Sequence, residues 1–100
     1  MTSSAIKTEI PNAESVTVTT DTLRIDLSDG RTISVPLAWF PRHVHATPEE
    51  RNDWRLIGTG QGVHWEAIDE DVSVSGLLAG QPSGESQTSS EKWLSQRSRA

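Results

Sequence analysis

The chain has 100 residues, a formal net charge of −5, four tryptophans, one phenylalanine and no cysteine. That length admits one domain, and the lack of cysteine excludes disulfides, thiolate metal sites and cysteine nucleophiles. The acidic balance argues against nonspecific nucleic-acid binding, which needs basic surface to release counterions, and suits a basic protein partner.

No apolar run approaches the ~20 residues of a membrane span, and the polar start has no signal-peptide core, so a cytoplasmic setting is expected. Residues 1–14 carry few large apolar groups and read as a flexible N-terminal arm. From Ser15 the pattern turns to period two, with Val16 and Val18 alternating with Thr17 and Thr19. Leu23, Ile25 and Leu27 form a second apolar face, opposed by Arg24 and Asp26. Ser28-Asp29-Gly30-Arg31 is a tight turn, because Asp-Gly supplies positive φ. Ile33 and Val35 resume the alternation. Three short antiparallel strands in a meander follow, with one dry face and one wet face.

Pro36 closes the third strand. Leu37-Ala38-Trp39-Phe40-Pro41 is too short for an independent helix and reads as a turn or a single helical turn plugging the dry face. His43 and His45 fall in a loop beside prolines. Thr47-Pro48-Glu49-Glu50 is a helix start, with Thr47 as N-cap, Pro48 at the first helical position and Glu50 completing a capping box. Trp54–Ile57 and Val63–Trp65 read as a hairpin around Gly58–Gly62, and Val72 to Val74 as one more extended piece. A helical turn over Ser75–Ala79 stops at Gly80.

Residues 81–100 shift to Ser, Gln, Gly, Thr and Pro and read as a disordered polar tail. Within it, Glu91-Lys92-Trp93-Leu94 is the one place where a brief docking turn could form. The expected fold is α+β, in one domain over residues 15–80. A small antiparallel sheet, meander plus hairpin, carries one or two short helices on one face.

Candidate site residues divide into three groups. His43, His45, His64 and Asp69 invite a metal reading, since a His-x-His pair plus an acid can form a zinc or iron shell. Asp69-Glu70-Asp71 is the densest acidic run, but consecutive acids do not point one way in an extended segment. The plainer reading makes Asp69 and Asp71 caps for local amides, and the functional one makes them an acidic patch for a basic partner. Trp39, Trp54 and Trp65 are most simply core anchors. Trp39-Phe40 beside Arg42 is the preferred exposed strip, since Trp and Arg favour binding hot spots. His64-Trp65 adjoins the acidic run. No nucleophile elbow or phosphate-binding glycine motif is present.

The run Asp29-Gly30-Arg31-Thr32-Ile33-Ser34-Val35-Pro36-Leu37-Ala38-Trp39-Phe40-Pro41-Arg42, followed by Ala46-Thr47-Pro48-Glu49-Glu50-Arg51, resembles the small bacterial family called domain of unknown function 2442. Trp65, Ile68-Asp69-Glu70-Asp71 and Ser75-Gly76-Leu77-Leu78-Ala79-Gly80 extend the likeness, which covers roughly Val16 to Gly80. His43 stands where that family usually has an aliphatic residue, and Glu66 where it often has proline. The resemblance implies a compact α+β domain with no established enzyme activity. It also implies a setting, because such proteins are often encoded beside a small protein of another uncharacterised family, number 4160, in a toxin–antitoxin-like arrangement.

The expected role is therefore a non-catalytic protein-interaction module without cofactor or metal, antitoxin-like or accessory to a small basic toxin-like protein. Its expected contact residues are Trp39, Phe40, Arg42, His64, Trp65, Asp69, Glu70 and Asp71. The alternatives are a small metal-dependent enzyme built on the three histidines and Asp69, and a transcriptional regulator acting through a partner. Neither direct nucleic-acid contact nor a membrane is expected. An open sheet edge leaves homodimerisation available.

Overall fold

The computed structural model describes residues 10–97. Two antiparallel sheets of three strands each, ordered as sequence neighbours, carry short helices between and after them. The α+β expectation holds, but the second half is a meander like the first, where the sequence reading expects a hairpin. Residues 1–9 of the expected arm lie outside the described residues.

The first sheet comprises β1 (Ala13–Val18), β2 (Thr22–Leu27) and β3 (Thr32–Pro36). Strand β1 starts at Ala13, inside the expected arm, because its end is tied down twice. The Ala13 amide donates to the Gly60 carbonyl at 2.8 Å, and the Ser28 amide donates to the Asn12 carbonyl at 2.8 Å. The register shifts between Ala13 and Ser15, so a bulge at Glu14 lets Ala13 and Val16 both face inward. On β2, Leu23, Ile25 and Leu27 are buried as the alternation requires. The turn into β3 closes between Leu27 and Arg31, with Gly30 at φ 93°, the left-handed position of a three-residue hairpin loop.

After β3 the chain makes a single 3₁₀ turn over Leu37–Trp39. The Leu37 amide donates to the Asp21 carbonyl, and its buried side chain plugs the dry face. Helix α1 (Pro41–Val44) then stands where a loop is expected. Pro41 starts this helix instead of ending one: its fixed φ suits the first helical position, and Phe40 before it lies outside the helical region, at φ −129° and ψ 88°, from which a following proline excludes it. Helix α2 (Pro48–Asn52) has the full capping box: the Glu50 amide donates to Thr47 Oγ1 at 3.1 Å, and the Thr47 amide donates to Glu50 Oε1 at 2.9 Å.

The second sheet comprises β4 (Trp54–Ile57), β5 (Gly62–Trp65) and β6 (Glu70–Ser73). Its inner rows are Leu56–Val63–Val72 and Trp54–Trp65–Glu70, and one outer row is Arg55–His64–Asp71. Asp71 is thus a strand residue, and the capping expected of Asp69 and Asp71 before the last turn is done by Ser73, whose hydroxyl accepts from the Gly76 amide at 2.9 Å at the start of α3 (Val74–Leu78). Trp65, Ile68 and Val74 from this half join Leu23, Ile25 and Leu37 from the first in one core. The Trp65 indole N–H is satisfied by the Arg51 carbonyl at 2.9 Å.

The expectation of disorder after Gly80 meets a different structure, because helix α4 spans Gln87–Arg97. Polar composition alone cannot order that segment; specific anchors on the domain hold it. Among the described residues no helix is long and apolar enough to cross a membrane.

Candidate functional site

Two side-chain constellations stand out, on opposite chemical terms. The first is on the outer face of the second sheet. The strand register places His64 directly between Arg55 and Asp71, and both imidazole nitrogens meet carboxylates: Nδ1 contacts Asp71 Oδ1, and Nε2 contacts Glu66 Oε1 at 2.8 Å. The hydrogen bond to Asp71, and then the one to Glu66, raises the His64 pKa, because both bonds favour the charged ring. Both ring nitrogens are thereby engaged within the protein. Glu66 and Asp71 are exposed while His64 is half-buried beneath them. The result is a half-buried imidazole held between two exposed carboxylates, with the Arg55 guanidinium 4.0 Å from Glu66 on the same face.

The second constellation centres on Arg42 of α1. Its Nη1 donates to the Ile68 carbonyl at 2.9 Å and to the Asp69 carbonyl at 3.3 Å. Its Nε and Nη2 grip the Glu85 carboxylate at 2.7–3.1 Å. This fork geometry, which a lysine cannot reproduce, holds the Glu85 carboxyl below its ordinary range. Glu70 sits beside it on the inner row with Trp65. Burial, only partly offset by Arg42 and reinforced by Glu85, raises the Glu70 pKa to about 7. Glu70 lines a cleft with Phe40, Ser73, Leu77, Gln81 and Ser83, of ≈ 140 Å³. That is below the roughly 300–1,000 Å³ typical of small-molecule sites.

The expected contact strip divides. Phe40 and Trp65 are core residues, 4% and 0% exposed, and cannot meet a partner: Phe40 turns in as the 3₁₀ turn ends, and Trp65 lies on a central strand. Trp39 is half-buried, and Arg42 lies under Glu85. Asp69 is exposed, at φ 50° in the turn before β6. Glu70 points inward and Asp71 outward.

The four metal candidates do not gather. His43 is buried with its ring edge-to-face against Trp65 at 4.3 Å, His45 is an exposed helix end, and His64 is held by its carboxylates. Among the described residues no three His, Asp or Glu side chains are grouped to hold a metal ion. The participants that sequence reasoning missed are Glu66, Glu85 and Arg97. Only strand register reveals Glu66, and only the docked α4 reveals the other two.

These features define a small two-sheet α+β domain with an acidic outer face and a buried arginine fork. The chain belongs to the family described as protein of unknown function, DUF2442, which it matches over residues 13–83. A crystal structure of a protein of unknown function from Rhodospirillum rubrum is similar, with 26% identity and a TM-score of 0.65 over 77% of this chain and 95% of that one. A solution structure of an uncharacterized protein from Chromobacterium violaceum is 25% identical, with a TM-score of 0.63 over 86% of this chain and 75% of the other. No curated protein matches.

Proposed function

We propose that this chain is a non-catalytic protein-interaction module of the cytoplasm, the antitoxin-like or accessory partner of a small basic protein. The observation that carries the reading is the outer face of the second sheet. Glu66 and Asp71 stand exposed over His64, with Asp69 exposed in the turn before β6; these three carboxylates outnumber the one arginine of the face, Arg55, which lies 4.0 Å from Glu66, on a chain of net charge −5. Complementary charge of this kind steers association and sets specificity. The toxin–antitoxin setting comes from the family resemblance, in which a family-4160 protein is the expected neighbour.

The test is calorimetric titration of that neighbouring protein into this chain, then into Glu66→Lys/Asp71→Lys. The double variant should bind about tenfold more weakly or worse, with an unchanged circular dichroism spectrum. Absence of a complex with the wild type, or equal affinity of the two, overturns the assignment.

A further inference from the structure

Helix α4 is an unusual member of a fold. Its sequence, Gln-Thr-Ser-Ser-Glu-Lys-Trp-Leu-Ser-Gln-Arg, has no apolar stripe, and isolated helices of this length are marginal in water. It lies beyond residues 13–83, which the family match covers. Its order comes from a few anchors. The Ser83 amide donates to the Trp39 carbonyl at 3.0 Å. Glu85 fills the Arg42 fork, with the two side chains 9% and 17% exposed. Trp93 packs against the core, with the Arg42 guanidinium 5.1 Å and the Arg97 guanidinium 4.7 Å from its ring. One turn after Trp93, Arg97 grips Glu50 at 2.8 and 3.1 Å.

The groups that receive these anchors are positioned without them. Arg42 is also held by the Ile68 and Asp69 carbonyls. Glu50 is fixed by the capping box of α2. Trp39 belongs to the 3₁₀ turn. The face therefore presents a carbonyl for a backbone amide at Trp39, a guanidinium that forks a carboxylate and faces an aromatic ring at Arg42, and a carboxylate for a cation at Glu50. Such a preorganised set is what a docking site for a peptide requires.

The geometry points to a binding site over Trp39, Arg42 and Glu50 for a helical segment with an acid, a tryptophan eight residues on and an arginine one turn later. Residues 83–97 fill it in cis, and an equivalent segment of a protein partner takes it in trans by displacing them. This site is separate from the acidic outer face, so failure of either reading leaves the other standing.

The test uses the full chain carrying Glu85→Ala and Trp93→Ala, which removes two of the four cis anchors, and a fluorescently labelled peptide of residues 83–97 followed by anisotropy. Saturable binding to the double variant is expected. Binding to the wild type should be about tenfold weaker or worse, since a tethered competitor acts at high effective concentration. Adding Arg42→Ala to the double variant should weaken binding by about tenfold or more. Three results overturn the inference: no saturable binding to a folded double variant, binding indifferent to Arg42→Ala or equal in the wild type, or a double variant that fails to fold, which would make α4 a structural member of the core.

Discussion

Replacing His43 by leucine should remove a specific acid sensitivity. The His43 side chain is fully buried, and neither ring nitrogen has a hydrogen-bond partner. Burial first, and then the charge of Arg51, pushes its pKa down from 6.5 to about 4. Arg51 is the cation that faces it, donating from Nε to the His43 carbonyl at 2.9 Å. Between pH 6.5 and 4 the unfolded chain binds a proton at this residue that the native chain refuses. Stability contributed by the neutral ring is therefore complete above pH 6.5 and is lost as pH falls. A drop from 6.5 to about 4 corresponds to roughly 3 kcal/mol by pH 4, at about 1.4 kcal/mol per unit.

At pH 7 two effects oppose in the leucine variant. Unpartnered buried nitrogens cost about 1–3 kcal/mol, while edge-on contacts with Trp65 and Phe40 are worth about 0.5–1.5 kcal/mol each. These nearly offset, and neither varies with pH. The measurement is urea unfolding by tryptophan fluorescence at pH 7, 6, 5 and 4, read as the stability difference between His43→Leu and wild type. That difference should grow in favour of leucine by roughly 3 kcal/mol from pH 7 to pH 4. A difference constant with pH would refute the argument, because His43 would then titrate alike in both states.

Glu70 should show the opposite sign. Its carboxyl, raised from 4.5 to about 7, keeps in the native state a proton that the unfolded chain releases, so its contribution falls as pH rises from 4.5 to 7. The same unfolding series, extended to pH 8, on Glu70→Gln should show a gain of roughly 3 kcal/mol developing over that window, and a gain absent at pH 8 would count against the burial argument. Gly60 sits at φ 117°, and a Cβ there would meet the Ala13 carbonyl at 2.6 Å. Gly60→Ala should cost on the order of 2–4 kcal/mol in chemical denaturation, because it combines backbone strain with a collision at the tie between the two halves; a loss under 1 kcal/mol would show that the turn yields freely.

The parts of the fold legible in sequence are those decided locally. The alternation of Leu23, Ile25 and Leu27, the Asp29-Gly30 turn and the Thr47–Glu50 box each place their own element, since a few adjacent residues supply the whole signal. His43 was not legible as a core residue, because its burial follows from α1 starting at Pro41, a matter of a few backbone angles. Phe40 read as a surface candidate because an apolar residue carries no mark of which face it takes; Trp65 read both as a core anchor and as a contact candidate, and its position on a central strand decides for the core. The contacts of His64 with Asp71 and Glu66 needed the register of β5 against β6 and the turn after β5. Helix α4 was least legible of all. Its main anchor joins Glu85 to Arg42 across 43 residues, and no local pattern reports such a partner.

Both sheets pair each strand only with its neighbour in sequence. The loops to be closed are short, so little chain entropy is lost before each pairing is rewarded. Pairing confined to sequence neighbours keeps the sheet contacts local, which favours rapid folding. Each meander can assemble from its own residues, and the Ala13–Gly60 hydrogen bond then marks where the two are joined. Folding in this order leaves two long-range events: the docking of two preformed ribbons over a shared core, and the seating of the C-terminal segment on Arg42 and Glu50.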